Sequence, residues 1–303
     1  MDGALPIFDD QTEIMQIHFI GVGDKRMANM GVAMQAFGHQ VTVSDSDLSD
    51  DTKTLLSSNE LLPSQLGWFP EKIHDGLNVV VFSLKVTADN PELQRAEEMG
   101  VKTLSYAEFL FEQMQYKTRV VISGLGRSTV AKMILHVLKF NDKSVDYVLD
   151  DHIQLSEEND FIVLTGSDTS ISLADSRPEF EIYYPNIALL SDMEVGGSVE
   201  KYQAFVDGIV KGGSITFNEE DPKVKSIVEA TENPIRKFPY ATPEFLEEDG
   251  IIYLDTPDGE MPLEITGETN LGYLAGAKWI CQQMGIDEED FYDAIATFVL
   301  EQN

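Results

Sequence analysis

Short apolar segments alternate with amphipathic segments through the first hundred residues. Apolar runs at 17–20, 41–43 and 79–82 predict strands, and apolar residues recur at helical spacing over 27–37 and 93–99. Strands that alternate with helices in this way are typical of a doubly wound sheet, in which helices connect parallel strands. The pattern predicts an α/β fold that begins with a Rossmann-like, parallel-sheet domain.

A second α/β pattern begins after residue 117. An apolar run at 120–122 leads into a glycine turn, Gly124-Leu125-Gly126, and a helical pattern follows. A strand, a glycine turn and a helix start together outline a phosphate-binding loop. We therefore predict a Rossmann-like domain over residues 1–116 and a P-loop-like α/β domain over residues 117–303.

The side chains of this loop depart from a working phosphate-binding loop, which places a lysine on the phosphates and a Ser or Thr hydroxyl on Mg²⁺. Arg127 stands in the lysine position, followed by Ser128 and Thr129. Arginine is a broad planar fork, so this replacement is not conservative in a tight cradle. The loop is also short, with one residue between Gly124 and Gly126. An ordinary turn between a strand and a helix explains these residues equally well.

The first glycine turn has its own candidate chemistry. Gly21 and Gly23 follow the first predicted strand, and Asp45 follows the second, where a ribose-binding carboxylate lies in dinucleotide folds. Arg26 replaces the third glycine of that fingerprint, which weakens the case for close phosphate approach. Turn glycines and a polar residue at a strand end remain the alternative explanation.

Charge and hydropathy exclude several classes of function. The formal net charge is −32, from 21 Lys and Arg against 53 Asp and Glu, so the surface should repel nucleic acids and anionic membranes. No apolar run reaches the roughly 20 residues that cross a bilayer, and the N-terminus lacks a signal-peptide pattern. These features predict a cytoplasmic protein without membrane insertion.

The lone cysteine, Cys281, excludes an internal disulfide and is expected in a buried helix.

Several segments of the first domain together resemble the Mur ligase family, most closely its branches that ligate L-alanine or a murein tripeptide to UDP-N-acetylmuramate (UDP-MurNAc). They lie at 18–23, 38–45, 88–92 and 107–110. In that family the N-terminal domain holds the UDP part of UDP-MurNAc. The resemblance implies a UDP-sugar site with contacts at Gly21, Gly23, Ser44, Asp45 and Ser83.

The second domain resembles the central, ATP-binding domain of the same family. The segment ending at Met193-Glu194 is similar to the strand that leads to the family's magnesium-binding glutamate, and 218–222 and 267–270 are similar to two further family segments. The resemblance implies ATP and Mg²⁺ as cofactors, with Arg127 and Glu194 as catalytic residues. It implies nucleotide contacts at Gly124, Gly126, Arg127, Ser128, Thr129 and Asn270, and metal ligands at Ser128, Asp168 and Glu194.

The residues that differ from the family pattern are concentrated at the implied ATP and metal site. Gly196-Gly197 stands where the family has Asp-His, Thr269 replaces the histidine before Asn270, and Arg127 replaces the loop lysine. Phosphoryl transfer depends on positioning and electrostatic stabilisation, and each ~1.4 kcal/mol of lost transition-state stabilisation costs a factor of ten. Several losses together predict a degraded ATP and metal site.

The resemblance ends near Phe298, and the family's C-terminal ligase domain is absent from the matching region. The leading hypothesis is a pseudoenzyme of peptidoglycan metabolism that keeps a UDP-MurNAc-type pocket and acts in binding or regulation. The alternative is an active ATP-dependent UDP-MurNAc ligase that joins an amino acid or peptide through an acyl-phosphate, with a partner chain supplying the third domain. A third possibility is a scaffold that forms a homo-oligomer and binds no small ligand.

Overall fold

The computed structural model describes residues 14–249, 251–257, 259–265 and 267–299 of the 303-residue chain. The chain divides into two compact units, Met1–Leu104 and Ser105–Asn303. No helix within the described ranges is long and apolar enough to cross a membrane.

The first unit is a four-stranded sheet with helices between its strands. Its elements are β1 (Gln16–Ile20), α1 (Lys25–Ala36), β2 (Gln40–Ser44), α2 (Asp50–Ser58), a single 3₁₀ turn (Pro70–Lys72), β3 (Val79–Phe82), α3 (Pro91–Met99) and β4 (Thr103–Ser105). The strand order is β2-β1-β3-β4, and β1 pairs in parallel with both β2 and β3. The strands β2 and β3 follow each other in the chain but lie on opposite sides of β1. The carboxyl ends of β1 and β3 therefore flank a topological switch point.

Local sequence signals explain the helix limits in this unit. The Asn90 side chain accepts hydrogen bonds from the N–H groups of Glu92 and Leu93, and Pro91 occupies the first position of α3. The helix ends at Gly100, whose φ of +69° is a left-handed conformation that glycine adopts without steric cost. In the sequence, a glycine directly after the helical pattern over 93–99 indicates this helix end.

The second unit is built on a seven-stranded sheet of order β11-β10-β9-β5-β8-β6-β7. Its first half contains α4 (Tyr106–Met114), β5 (Thr118–Ser123), α5 (Arg127–Phe140), β6 (Asp146–Leu149), β7 (His152–Gln154), β8 (Phe161–Thr165), α6 (Glu179–Ile182) and β9 (Ile187–Leu190). Its second half contains α7 (Val199–Asp207), β10 (Ser214–Asn218), α8 (Pro222–Ala230), β11 (Arg236–Tyr240), β12 (Phe245–Glu248), β13 (Ile251–Thr256), β14 (Gly259–Leu263), α9 (Glu268–Gln283) and α10 (Glu288–Ile295).

Two parts of the second unit depart from a purely parallel arrangement. The edge strand β7 pairs antiparallel with β6, while β5, β8, β9, β10 and β11 pair in parallel. The strands β12, β13 and β14 form a separate antiparallel sheet. The main core lies where α5, α9 and α10 pack with the large sheet, and it includes Cys281. Complete burial of Cys281 in α9, as the sequence predicted, raises the pKa of its thiol.

The boundary between the units differs from the predicted one at 116/117, because α4 is grouped with the second unit. The Arg177 guanidinium lies 3.2 Å from the Glu108 carboxylate of α4. The ring of Phe111, also in α4, contacts Tyr184 edge-on at 5.4 Å and lies 5.5 Å from the Arg119 guanidinium. The sequence grouped α4 with the preceding strands because these partners lie far along the chain.

Candidate nucleotide sites

A cavity of about 700 Å³ in the first unit lies at the switch point of its sheet. Four predicted substrate residues line it: Gly21, Gly23, Asp45 and Ser83. Ser44, the fifth, is not part of the lining. It is 1% exposed, and its hydroxyl donates a hydrogen bond to the carboxylate of Glu92. Trp68, Lys85 and Asn90, which sequence reasoning did not select, also line the cavity.

Gly21 and Ser83 meet closely at the base of this cavity. Gly21 has a φ of +88°, and a Cβ atom there would lie 2.4 Å from Ser83 Oγ, so only glycine fits without a shift. Ser83 is 2% exposed, and its hydroxyl has no hydrogen-bond partner among the described residues. A buried hydroxyl at a cavity wall is therefore available to a ligand.

The cavity is predominantly acidic. Its carboxylates are Asp24, Asp45, Asp47 and Asp89, and its basic side chain is Lys85. Asp45 already accepts hydrogen bonds from the backbone N–H of Gly23 at 2.6 Å and of Asp47 at 3.0 Å. Carboxylates suit the hydroxyl groups of a sugar, whereas a phosphate needs the lysine and free backbone N–H groups.

A buried hydrogen-bond network supports the wall of the cavity. The carboxylate of Glu92 in α3 lies 3.3 Å from His18 Nε2. It accepts a hydrogen bond from the Phe69 N–H at 2.6 Å and another from the Ser44 hydroxyl. Burial alone would raise the pKa of Glu92, but the hydrogen bonds from His18, Ser44 and Phe69 outweigh it and hold that pKa below its usual value. Sequence reasoning missed this network, for which the one available signal was a histidine inside an apolar strand.

The loop of the second unit is packed against protein on two sides. The φ of Gly124 is +96°, and a Cβ there would lie 2.6 Å from the carbonyl oxygen of Asp192. The φ of Gly126 is +72°, and a Cβ there would lie 2.2 Å from the ring of Tyr273. Leu125 N–H donates to the Asp192 carbonyl at 2.8 Å. Both glycines are thus needed for packing within the protein, whether or not a phosphate binds.

The charged and hydroxyl side chains of the loop are bonded to carboxylates of the same unit. The Arg127 guanidinium forms a salt bridge with Glu194. Ser128 Oγ donates to Asp150 Oδ2 at 2.7 Å. Asp150 has a φ of +51° in the turn between β6 and β7, and nothing in the sequence marked it as a partner of the loop. The loop's cation and hydroxyl are therefore both engaged.

The remaining predicted residues of this site, Thr129, Asn270 and Asp168, lie on three separate segments of the second unit. Thr129 lies in the first turn of α5 and lines a separate groove. Asn270 lies in the first turn of α9, where its N–H bonds to the Gly267 carbonyl at 3.0 Å. The Lys201 ammonium donates a hydrogen bond to the Asp168 carbonyl oxygen at 2.7 Å. Burial, followed by the charges of Glu194 and Asp168, raises the pKa of Tyr202 to about 12.

Two of the three predicted metal ligands have side-chain partners. Ser128 donates a hydrogen bond to Asp150, and Glu194 pairs with Arg127. Within the residues the structure describes, no group of three His, Cys, Asp or Glu side chains is placed to hold a metal ion.

Further negative charge surrounds the loop. Burial is the main reason that the pKa of Asp192 is raised, and the nearby charges of Asp221 and Glu220 raise it further. Asn218 Nδ2 donates to Asp192 Oδ1 at 2.8 Å, which partly offsets these effects. A triphosphate approaching this edge of the sheet would meet several carboxylates.

Both units are α/β folds. The first is a parallel sheet with a cavity at its switch point, and the second is a sheet whose first strand enters a glycine turn. Comparison with known sequences finds similarity to UDP-N-acetylmuramate--L-alanine ligases. The UDP-N-acetylmuramate--L-alanine ligase of Persephonella marina is 28% identical over 295 residues, which cover 90% of this chain and 62% of that protein. The protein of the same name from Carboxydothermus hydrogenoformans is 25% identical over 316 residues, covering 96% of this chain and 66% of that protein.

Solved structures show the same relationship at the level of fold. A UDP-N-acetylmuramate:L-alanyl-gamma-D-glutamyl-meso-diaminopimelate ligase from Neisseria meningitides matches with a TM-score of 0.80 and 16% identity, covering 96% of this chain and all of that one. The UDP-N-acetylmuramate-alanine ligase from Thermotoga maritima matches with a TM-score of 0.70 and 18% identity, covering 94% of this chain and 68% of that one. No protein-family model matches the chain.

The resemblance to Mur ligases predicted from the sequence is confirmed: the chain is a homologue of these ligases and has their α/β fold. It spans slightly less than two thirds of the length of the curated relatives it matches.

Proposed function

We propose that this protein works in peptidoglycan metabolism as a Mur-ligase-related binding or regulatory protein, which holds UDP-MurNAc or a related UDP-sugar and lacks a working ATP and magnesium site. The observation that carries this proposal is the pairing of Arg127 with Glu194 and of Ser128 with Asp150. Phosphoryl transfer needs that cation and that hydroxyl on the nucleotide and the metal. Both are held by carboxylates instead.

The cavity of the first unit supports the UDP-sugar part of the proposal. Its volume of about 700 Å³ lies within the range of small-molecule sites. Ser83 and Asn90 offer polar groups at the wall, Lys85 supplies a cation for the diphosphate, and the acidic lining accepts sugar hydroxyls. The names of the sequence relatives include UDP-N-acetylmuramate, which makes this the first ligand to test.

One feature favours the second candidate, an ATP-dependent ligase. No side chain of the described residues caps the start of α5, where helix N–H groups and the helix dipole attract anions. A nucleotide phosphate that bound there would compete with Glu194 for Arg127.

Calorimetric titration with ATP and Mg²⁺, and separately with UDP-MurNAc, distinguishes the two candidates. We expect binding of UDP-MurNAc and no Mg²⁺-dependent binding of ATP, because the loop side chains already have partners. Glu194→Gln is the informative variant, since it frees Arg127 while keeping the shape of the side chain. ATP binding by the unmodified protein that requires Mg²⁺ and is lost in Arg127→Ala would favour the ligase.

Lys85→Gln should weaken UDP-MurNAc binding about tenfold, because a charged hydrogen bond to the diphosphate is worth roughly 1.5 kcal/mol or more. Lys211→Gln is the matched control, since Lys211 is exposed in the other unit and lines neither the 700 Å³ cavity nor the loop. Both affinities can be measured by the same titration. Equal affinities for the two variants would remove the cavity from the UDP-sugar proposal.

A further inference from the structure

A groove of about 1250 Å³ in the second unit belongs to neither nucleotide site. One side is the outer face of α5, and the opposite side is formed by β6, β7 and the segment after α10. The lining includes Lys132, His136 and Lys139 of α5, Tyr147 of β6, Gln154 of β7 and Phe298. Of the residues predicted to contact a nucleotide, Thr129 alone borders this groove.

The groove reverses the charge of the rest of the chain. The whole sequence has 53 Asp and Glu against 21 Lys and Arg, whereas the charged lining is Lys132, Lys139 and Lys143 against Asp142. The three lysines are exposed, and none forms a hydrogen bond or salt bridge through its ammonium group with a described residue. Three neighbouring unpaired ammonium groups create a local positive potential on an acidic protein.

Other lysines in the same unit have partners. The ammonium of Lys117 lies 2.9 Å from the Asp146 carboxylate, and that of Lys278 lies 2.8 Å from the Glu288 carboxylate. The lysines of the groove differ from these two in having no carboxylate partner among the described residues.

The spacing of the lysines indicates what they can bind. Lys132 and Lys139 are separated by seven residues of helix, or about 10 Å at 1.5 Å per residue. Lys143 lies beyond the end of α5 at Phe140. A row of cations along one helix face suits a ligand that carries several separated negative charges. An extended peptide can, because side chains on one face repeat about every 7 Å along a strand.

The floor of the groove is formed by apolar side chains that contact neighbouring residues. Leu135 and Val145 contribute aliphatic surface, and Phe298 is 6% exposed. The ring of His136 contacts Phe298 edge-on at 5.4 Å, and its Nε2 lies 3.0 Å from the Ala294 carbonyl. This floor can accept the apolar side chains of a bound segment.

The adjacent strand offers a second mode of contact. β7 lies at the end of the strand order and pairs only with β6 among the described strands, so its outer edge can accept an added strand.

We propose that this groove binds an extended acidic segment of a partner protein, with its carboxylates on Lys132, Lys139 and Lys143 and its apolar side chains on the floor. The apolar floor favours a peptide over a nucleic acid as the occupant, because a peptide can place apolar side chains on Leu135 and Phe298.

The test uses a fluorescein-labelled peptide of about ten residues that alternates Glu and Val, which spans the lysines at ~3.3 Å per residue. Fluorescence anisotropy should detect saturable binding to the full chain. The variant Lys132→Gln/Lys139→Gln/Lys143→Gln should bind about tenfold more weakly, since each exposed ion pair contributes up to roughly 1 kcal/mol.

The matched control is Lys211→Gln/Lys223→Gln/Lys237→Gln, which changes the net charge equally at exposed positions outside the groove lining. It should leave the affinity within about twofold of the unmodified protein if the contacts are local. An unchanged thermal melting curve confirms that the groove variant is folded, which is expected because its three lysines are exposed.

Equal weakening in both triple variants, or no saturable peptide binding, would overturn the proposal. Tighter binding of a thymidine oligonucleotide or of inorganic tripolyphosphate, lost in the groove variant, would show that the occupant is not a peptide. A peptide with Lys in place of Glu should not bind, and its binding with equal affinity would contradict the charge argument.

Discussion

Gly126→Ala is expected to lower the free energy of unfolding of the second unit by about 2–5 kcal/mol. The φ of +72° costs an L-residue roughly 1–2 kcal/mol, and overpacking typically adds 1–3 kcal/mol. The added Cβ would lie 2.2 Å from two ring atoms of Tyr273, which is only 6% exposed and has little room to move. Urea denaturation followed by Trp279 fluorescence in a Trp68→Phe background measures this unit.

Gly212→Ala separates the cost of the positive φ from the cost of overpacking. Gly212 has a similar φ of +81° in the same unit, but no atom lies within 4 Å of an added Cβ. Its substitution should therefore cost only the conformational part, about 1–2 kcal/mol. Combining Gly126→Ala with Tyr273→Leu should recover part of the loss. Identical costs at Gly126 and Gly212 would show that Tyr273 does not pack on the loop.

This contact also bears on the proposed loss of ATP chemistry. A phosphate-binding loop uses glycine so that its backbone can approach the phosphates. Here the space beside Gly126 is filled by Tyr273, whose pKa is raised to about 12, mainly by burial and then by Asp192. The loop can keep its glycines for internal packing after phosphate binding is lost. Glycine in the sequence therefore does not by itself indicate a nucleotide.

The sequence predicted which residues lie at strand ends better than it predicted the side chains to which loop residues are hydrogen-bonded. Gly21, Asp45 and Ser83 follow β1, β2 and β3, and parallel strands bring such ends to one edge of a sheet. The pairing of Ser128 with Asp150 depends on how a hairpin turn between β6 and β7 is placed in space. Sequence periodicity does not contain that information.

The three-stranded sheet was missed for a different reason. The strand β12 has the sequence Phe-Leu-Glu-Glu and is mostly exposed, so no alternation of buried and polar positions marks it. Burial of Ile252, Leu254 and Leu263 becomes evident only when β13 and β14 are paired.

Glu92→Ala is expected to destabilise the first unit by about 2–4 kcal/mol near pH 7. The substitution removes the acceptor shared by the Ser44 hydroxyl, the Phe69 N–H and the His18 ring. Ser44 and His18 keep a 3.3 Å contact with each other, so the cost is about that of one or two buried groups that lose their partner, at roughly 1–3 kcal/mol each. Denaturation followed by Trp68 fluorescence in a Trp279→Phe background reports on this unit. Glu98→Ala on the same helix is the control, because its ion pair with Arg95 is exposed and should contribute less than about 1 kcal/mol.

The pH dependence of the same residue has a definite sign. The pKa of Glu92 in the folded protein lies below its usual value of 4.5, so the folded state favours the carboxylate form. Its ionisation therefore contributes stability that is fully present above pH 4.5 and is lost as the pH falls through the lower, folded-state pKa. Glu92→Gln cannot ionise, so the stability of its first unit should fall less steeply below pH 4.5 than that of the unmodified protein. Parallel curves for the two proteins would show that Glu92 does not ionise within the network, and its role in supporting the cavity wall would then rest on neutral hydrogen bonds alone.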